Sequence, residues 1–410
     1  MSPENTFVIV GGGLAAGKAV EALRENGYDG RLVLIGDERD KPYIRPPLSK
    51  GYLTGKETRD SIFVHPDDWY DKHDVDLRLG TTVTGLDVGA GQVELDGGRR
   101  MPYTKLLLAT GAAPRLLTVP GADLDNVLYL RRVGDSERLK AAFTEGARIV
   151  VIGAGWIGLE TAAAARQAGA EVTVLEAEEL PLLRVLGREA AEVFAALHTD
   201  HGVVLRHGVR VEGITGSGGR ADGVRLADGT HVPADAVVVG VGVTPDTRLA
   251  EAAGLEVRNG VVTDAHLRTS APNVFAAGDV ANAYHPFLER HIRVEHWANA
   301  LNQPATAAQG MLGGDAVYDR LPYFYTDQYD LGMEYVGYVE PGGYDRVVFR
   351  GDKAAREFVA FWMSGDRVLA GMNVNVWDVV EPVRELITSR AEVDDTRLAD
   401  PQVPLESVRA

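Results

Sequence analysis

The chain has 410 residues, of which 45% are hydrophobic, and its 42 basic and 59 acidic residues give a net charge of −17. This length exceeds that of one ordinary domain, so we expect two or three domains, and the acidic charge disfavours nucleic acid as a partner. The sequence has no cysteine, which excludes a redox disulfide, a thiolate-ligated iron–sulfur cluster and a cysteine nucleophile. Neither a membrane span of ~18 to 20 apolar residues nor a signal-peptide pattern is present, so we predict a cytoplasmic protein without a membrane partner.

A glycine-rich turn follows the first predicted strand. The apolar run at residues 7–10 is typical of a buried strand, and a helical stretch at residues 15–24 follows the glycines. In this context the motif is a dinucleotide fingerprint, whose glycines let the backbone approach a pyrophosphate at the helix N-terminus. After the next predicted strand, at residues 31–35, two acids stand at roughly the 20-residue distance expected of the group that holds a ribose. The positions predicted to hold this adenine dinucleotide are Gly11, Gly13, Leu14, Ala15, Ala16, Asp37 and Glu38.

The same arrangement recurs near the middle of the chain. Residues 149–152 predict a strand, residues 159–168 a helix, and residues 171–176 a second strand that ends in an acid. A lone motif of this kind can be only a tight turn, but two copies in the same context predict two dinucleotide sites. The second copy contributes Gly153, Gly155, Trp156, Ile157, Gly158 and Glu176.

Glu176 also predicts which nicotinamide coenzyme is used. A carboxylate accepts hydrogen bonds from a ribose 2′-hydroxyl but repels a 2′-phosphate, by about 3 to 4 kcal/mol per unit charge at short range. No arginine stands within five positions after Glu176, and Glu178 and Glu179 add to the repulsion. We therefore expect NADH to be preferred to NADPH.

The two halves repeat each other beyond the fingerprints. Residues 93–114 and 224–245 each contain an Asp-Gly hairpin, a buried strand, a glycine-rich exit and a proline. Either exit alone fits an ordinary loop equally well, but their matching order indicates duplicated nucleotide-binding units whose exits approach a cofactor. The exit positions concerned are Thr110, Gly111 and Gly242.

A specific motif follows the second unit, the segment Thr-Ser-Ala-Pro-Asn-Val-Phe-Ala-Ala-Gly-Asp that ends in Gly278 and Asp279. It resembles the second flavin motif of flavoproteins with two dinucleotide-binding domains, in which the aspartate binds the ribityl chain of FAD. An aspartate here can also cap the following helix, and the two roles are compatible. The resemblance implies that FAD binds to the first fingerprint and NADH to the second.

Three further strings narrow the resemblance to one family. They are PYIRPPLSK at residues 42–50, RVEHWANALNQ at residues 293–303 and FYTDQY at residues 324–329. With the fingerprints, they are similar to the NADH-dependent ferredoxin and rubredoxin reductases that serve bacterial oxygenases, relatives of the apoptosis-inducing factor. Two departures are Tyr323 and Tyr325, which stand where the family often has tryptophan, and the C-terminal part matches only in outline.

The resemblance implies a catalytic pair, Lys50 and Glu160, because an equivalent lysine and glutamate pair beside the flavin in this family. A cation near the isoalloxazine favours the reduced ring, and a carboxylate keeps that cation from being buried alone. For either residue, a solvated surface charge is the alternative. The residues implied around FAD are Ala15, Asp37, Arg45, Lys50, Val83, Arg131, Gly278, Asp279 and Trp297, and Glu160 and Gly242 are placed with NADH.

The implied activity is that of an FAD-dependent NADH:ferredoxin oxidoreductase, which passes single electrons to an iron–sulfur ferredoxin or to a rubredoxin. Without cysteine the chain has no iron–sulfur relay of its own, so a separate protein must accept the electrons. An acidic ferredoxin requires a local basic patch on this acidic chain, for which Arg290 and Arg293 are candidates and a solvated loop is the alternative. The oligomeric state is open between monomer and homodimer.

Three other functions stay open at this point: a peroxide-forming NADH oxidase, a cofactor-gated interaction protein resembling the apoptosis-inducing factor, and an NAD-binding protein without flavin. His198, His201 and His207 have a loose metal-like spacing, but no carboxylate-rich or cysteine partner completes a site, so no metal is predicted.

The interrupted repeat predicts an α/β fold with two Rossmann-like dinucleotide-binding domains, followed by a C-terminal α+β domain. The FAD-binding domain comprises residues 1–114 and 246–320, the NAD-binding domain residues 115–245, and the C-terminal domain residues 321–410. In this last domain, strands are predicted at residues 356–362 and 367–373 and an amphipathic helix at residues 379–390.

Overall fold

The computed structural model describes residues 5–409, which divide into two compact units. The first unit contains the described chain up to Arg45 together with Thr58–Ala113 and Val243–Arg320. The second contains Pro46–Glu57, Pro114–Gly242 and the described chain from Leu321 onward. The chain thus changes unit close to the predicted domain limits at 114 and 245, while residues 46–57 go with the second unit. The division into three domains stays a prediction.

A five-stranded parallel sheet forms the core of the first unit. Its central strands are nearly continuous runs of Val, Ile and Leu, as expected of a parallel sheet that is covered on both faces. The helices Leu14–Glu25 and Trp297–Met311 cover one face, and an antiparallel meander covers the other. In spatial order the strands are Val274–Ala276, Lys105–Leu108, Thr6–Val10, Arg31–Ile35 and Val75–Arg78.

The remaining elements of the first unit are short. Its other strands are Val83–Asp87, Gln92–Leu95, Arg100–Pro102, Ala112–Pro114, Val243–Pro245, Val261–Thr263, Ala281–His285 and Arg290–Arg293. Its other helices are Trp69–Lys72 and Arg248–Ala252, with single 3-10 turns at Asp60–Ile62, Asp96–Gly98 and Gly278–Val280.

The second unit contains a parallel sheet of the same design, also of five strands. Its strands in spatial order are Val204–Arg206, Glu171–Leu175, Arg148–Ile152, Ala236–Val239 and Val127–Leu128. A meander of Val211–Ser217, Arg220–Leu226 and His231–Pro233 packs on one face of this sheet. The helical segments are Pro46–Ser49, Val133–Ala142, Trp156–Gln167, Leu183–Leu186 and Arg188–Asp200.

The chain beyond Leu321 forms an antiparallel sheet of five strands, in the order Tyr323–Gln328, Leu331–Gly337, Arg367–Val374, Glu357–Ser364 and Arg346–Asp352. The helices Val380–Ser389 and Asp395–Ala399 and the turn Leu405–Ser407 follow it. Trp362 and Met372 of this sheet share one core cluster with Phe194 and Leu197 of the helix Arg188–Asp200. The predicted strands and helix of this region are present within two residues of their predicted ends, and the predicted fold class is confirmed. Residues 5–409 include no helix with the length and hydrophobicity of a membrane span.

Candidate active site

The first fingerprint is a backbone turn at which only glycine fits. Gly11 has φ +133°, and a Cβ there would lie 2.0 Å from the carbonyl oxygen of Ala109. The helix Leu14–Glu25 begins directly afterwards, with Gly13 at its N-cap and no acidic residue in its first turn. Its first N–H groups and its positive dipole end are therefore available to an anion such as a pyrophosphate. Ala15 and Ala16 are buried under this turn.

The acidic position of the first fingerprint is organised by an arginine. Glu38 forms an ion pair with Arg45 over 3.1 Å and accepts a hydrogen bond from the Tyr43 hydroxyl, whereas Asp37 is exposed. Burial disfavours the charged guanidinium of Arg45, but Tyr43, Glu38 and Asp279 outweigh it and raise the pKa of Arg45. A cation that stays charged beside Gly13 is suited to a phosphate.

The other predicted flavin positions of the first unit lie at the carboxyl edge of the parallel sheet or behind it. Gly278 (φ +81°) begins a 3-10 turn, where a Cβ would lie 3.1 Å from that of Ala15, so Gly278 and Asp279 lie beside the fingerprint helix. Thr110 donates a hydrogen bond to the carbonyl of Asp246 over 2.7 Å, and Gly111 accepts one from the Asp246 amide. Val83 is buried in the core on the meander side, and Trp297 begins the helix Trp297–Met311.

The second fingerprint repeats this geometry in the second unit. Gly153 has φ +97°, and a Cβ there would lie 2.5 Å from the carbonyl oxygen of Gly240. Gly158 is closer still, because its Cβ would lie 2.0 Å from the oxygen of Gly153. Gly155 is the N-cap of the helix Trp156–Gln167, Trp156 packs edge-on against Phe194, and Ile157 is exposed. This helix begins three residues earlier than the sequence pattern predicted.

The carboxylate of Glu176, which follows the strand Glu171–Leu175, is hydrogen-bonded to the turn of the second fingerprint. It accepts hydrogen bonds from the amides of Ala154 at 2.7 Å and Glu178 at 2.9 Å. Glu178 and Glu179 are themselves paired with Arg184 and Arg188, which the sequence spacing did not reveal. The additional repulsion expected of these two glutamates is therefore largely neutralised, and Glu176 carries the predicted coenzyme preference.

Glu160, on the helix of the second fingerprint, forms a buried ion pair with Lys50. The Lys50 ammonium lies 2.8 Å from Oε1 of Glu160, and the exposed fractions of the two side chains are 15% and 4%. Lys50 follows the 3-10 turn Pro46–Ser49, whose prolines fix the local backbone. The alternative that either residue is a solvated surface charge is thereby wrong, since both are largely shielded and paired with each other.

Further polar groups surround this pair. The Ser49 hydroxyl donates to Oε2 of Glu160, and the Thr326 hydroxyl donates to Oε1 over 2.6 Å. Lys50 lies over the ring of Tyr325 at 5.5 Å, and burial raises the pKa of that phenol to about 12. Burial also raises the pKa of Asp327, although the Lys50 charge acts in the opposite direction. Ser49 and Thr326 lie in the strings that carried the family resemblance, yet no sequence pattern indicated their contact with Glu160.

Four remaining predicted positions are placed as follows. Arg131 and Gly242 belong to the second unit, where the Arg131 amide is held by Asp135 and the Gly242 carbonyl by the Arg115 amide. Arg290 is exposed on its strand, but Arg293 is mostly shielded and pairs with Glu295 over 3.0 Å. Among residues 5–409 no cluster of His, Asp and Glu suited to a metal ion is found.

The chain matches two family models that together span nearly all of it. Residues 5–304 match the pyridine nucleotide-disulphide oxidoreductase family, and residues 323–409 match the reductase C-terminal family. The chain belongs to the pyridine nucleotide-disulphide oxidoreductases. This membership implies a nicotinamide nucleotide and a flavin, and both glycine turns with their open helix ends fit such groups. Because this member has no cysteine, its chemistry does not use a disulfide of its own.

Individual members of the family are similar over their full lengths. The ferredoxin–NAD(+) reductase component of the anthranilate 1,2-dioxygenase system of Burkholderia cepacia is 42% identical, with 98% of each chain covered. Putidaredoxin reductase of Pseudomonas putida is 38% identical over 100% of this chain and 98% of its own. The solved covalent putidaredoxin reductase–putidaredoxin complex contains a chain with a TM-score of 0.93 and 37% identity, with 98% of each chain covered. The predicted family and enzyme class are confirmed, and these similarities do not favour the oxidase or interaction-protein alternatives.

Proposed function

We propose that this oxidoreductase is an NADH-dependent reductase that transfers electrons through FAD to a ferredoxin of an oxygenase system. The observation that carries the proposal is the buried ion pair of Lys50 with Glu160, which lies on the helix of the second fingerprint, in a chain with a further fingerprint and no cysteine. The relatives named above as ferredoxin and putidaredoxin reductases support the same acceptor class.

The two fingerprints divide the cofactors. FAD belongs to the first, where Arg45 offers a cation to the phosphates and Glu38 and Asp37 offer acceptors to the ribose. NADH belongs to the second, where the helix end after Gly155 receives the pyrophosphate and Glu176 receives the adenine ribose. When bound, the flavin supplies the redox chemistry, since it takes a two-electron hydride and releases single electrons.

Lys50 and Glu160 are the residues we propose to serve the hydride transfer. A shielded ammonium stabilises negative charge that develops during the transfer, and it does so more strongly than in water because little solvent screens it. Glu160 keeps this ammonium from being buried without a partner and holds it in one place. Neither residue has to exchange a proton for this role.

The electron acceptor is a separate iron–sulfur protein. Without cysteine this chain cannot ligate a thiolate-held cluster, so each electron must pass directly to the partner. Arg290 is the better placed of the two predicted docking residues, because its side chain is exposed whereas that of Arg293 is mostly shielded. A cytoplasmic location is proposed with this function, because oxygenase electron transfer draws on the NADH pool.

The acceptor can be tested by reconstitution. We expect cytochrome c reduction by NADH to require both this protein and a [2Fe–2S] ferredoxin, with little hydrogen peroxide formed. The ferricyanide reductase activity, which needs no docking, serves as the control for flavin reduction. Rapid peroxide formation that is unchanged when ferredoxin is added would contradict the proposal and favour an oxidase.

A further inference from the structure

We propose that a buried chain of hydrogen bonds from His198 through Gln328 and Thr326 positions Glu160, and through it Lys50. These three are positioning residues for the hydride transfer, so this inference rests on the proposed function. They lie on the helix Arg188–Asp200 and the strand Tyr323–Gln328, neither of which carries a fingerprint.

The contacts are continuous. Nε2 of His198 lies 2.8 Å from Oε1 of Gln328. Nε2 of Gln328 lies 3.2 Å from the Thr326 hydroxyl oxygen, and that oxygen lies 2.6 Å from Oε1 of Glu160. All four side chains are buried, with exposed fractions between 0% and 4%. Thr326 and Gln328 point to the same face of one strand because they are two residues apart.

The direction of every bond follows from the carboxylate at its end. An ionised carboxylate only accepts, so Thr326 must donate to Glu160 and can accept only from an N–H of Gln328. The amide oxygen of Gln328 then faces His198, which must donate from Nε2. Burial disfavours the charged imidazole and lowers the pKa of His198, so the ring is neutral and its Nδ1 is an acceptor. The Tyr329 hydroxyl lies 3.3 Å from that Nδ1 and completes the series. Every donor therefore points toward Glu160.

This series of hydrogen bonds is suited to holding a charge in place and unsuited to moving a proton. Proton hopping through Gln328 would require its amide nitrogen to lose a proton and its oxygen to gain one, which amides do not do near neutral pH. Aligned donors strengthen one another in a water-poor interior, and they fix the carboxylate in a single orientation. Oε1 of Glu160 accepts from both Thr326 and Lys50, whereas Oε2 accepts from Ser49. Loss of the Thr326 donor therefore leaves the Ser49 hydroxyl as the one remaining described hydroxyl donor to the carboxylate, which weakens the orientation of Oε1 toward the ammonium.

The first test breaks the link at Thr326 in the complete, flavin-loaded protein. We expect Thr326→Val to lower the limiting rate of flavin reduction by NADH roughly tenfold in stopped flow, with little change in the apparent Kd for NADH. Thr326→Ser should restore the rate because it restores the hydroxyl. The matched control is Thr263→Val, a buried strand threonine of the first unit whose hydroxyl has no hydrogen-bond partner within residues 5–409.

Two further measurements separate positioning from a general loss of structure. If Thr326 acts through the ion pair, Thr326→Val should add little to the defect of Lys50→Met in the double variant. NMR of the [¹⁵N]histidine-labelled protein should show His198 neutral and protonated on Nε2 at pH 7, with its signal identified by loss in His198→Gln. Should Thr326→Val fail to fold, Gln328→Met breaks the same chain one link further away and is expected to slow reduction likewise.

The outcomes distinguish this inference from the function on which it rests. A parent protein whose bound flavin is not reduced by NADH overturns the proposed function itself. A parent that is reduced normally, with Thr326→Val and Gln328→Met equally fast, overturns the positioning role alone. An imidazole of His198 that is protonated on Nδ1 or charged at pH 7 overturns the bond directions.

Discussion

Single residues carry the chemistry proposed for this protein, and several of them were visible in the sequence. The fingerprint glycines, Lys50 and Glu160 stand in strings with a recognisable pattern. Ser49, Thr326 and Gln328 stand in such strings too, but their partners are 111, 166 and 130 positions away in the chain. Only folding brings them together, and no local pattern encodes a hydrogen bond between side chains at such separations.

The interpretation of His198 differs between the sequence and the structure. In the sequence it belonged to a loose metal-like spacing, whereas the structure gives its two ring nitrogens Gln328 and Tyr329 as partners. Burial lowers the pKa of His198 from 6.5 to about 4, with His201 adding to the decrease and the Gln328 hydrogen bond opposing it.

A pH dependence of stability follows from this pKa. The unfolded chain binds the His198 proton below pH ~6.5 and the folded chain only below about 4, so this contribution to stability is present above pH 6.5 and is lost as the pH falls. Between pH 7 and pH 5 the loss amounts to about 2 kcal/mol. We expect urea unfolding to show that the stability advantage of the parent over His198→Gln shrinks by this amount. An advantage that is equal at both pH values would contradict the lowered pKa.

At the scale of elements, the strand–turn–helix units were predicted well because hydrophobic runs and glycines mark them directly. Their exact ends were predicted less well: the second fingerprint helix starts at Trp156, not at Leu159. The N-cap of this helix is a glycine, so the sequence lacks the Ser, Thr or Asp that usually marks a helix start.

Alanine substitutions at the two glycines of this turn, Gly155 and Gly158, are expected to have different effects on stability and on NADH binding. No described heavy atom lies within 4 Å of a Cβ at Gly155, so Gly155→Ala should leave the unfolding midpoint unchanged and raise the KM for NADH roughly tenfold, because the methyl group meets the pyrophosphate. Gly158→Ala should lower both stability, by about 1 to 3 kcal/mol, and NADH affinity, because its Cβ would overlap the Gly153 carbonyl.

Flavin content serves as the control in this pair, since the first fingerprint is untouched by either substitution. If Gly155→Ala destabilised the protein as much as Gly158→Ala, or bound NADH normally, the assignment of this helix end to the coenzyme would be wrong.

At the scale of the whole molecule, the internal repeat predicted the interruption of one nucleotide-binding unit by another. In the structure the chain leaves the first unit after Ala113 and returns at Val243, and the predicted division into domains stays a prediction. The repeat could not predict that Pro46–Glu57, which lies within the first sequence repeat, belongs to the second unit. That assignment depends on contacts such as Lys50 with Glu160 and Ser136 with the Leu48 carbonyl, which arise only in three dimensions.

The central claim is that one chain without cysteine takes a hydride from NADH onto a flavin that it binds itself. The most direct measurement is the visible spectrum of the purified protein under anaerobic conditions, recorded before and after one equivalent of NADH is added. We predict a yellow protein whose oxidised-flavin absorbance is lost with NADH and lost far more slowly with NADPH. A protein that stays colourless when FAD is supplied, or a bound flavin that NADH leaves oxidised, would contradict the account.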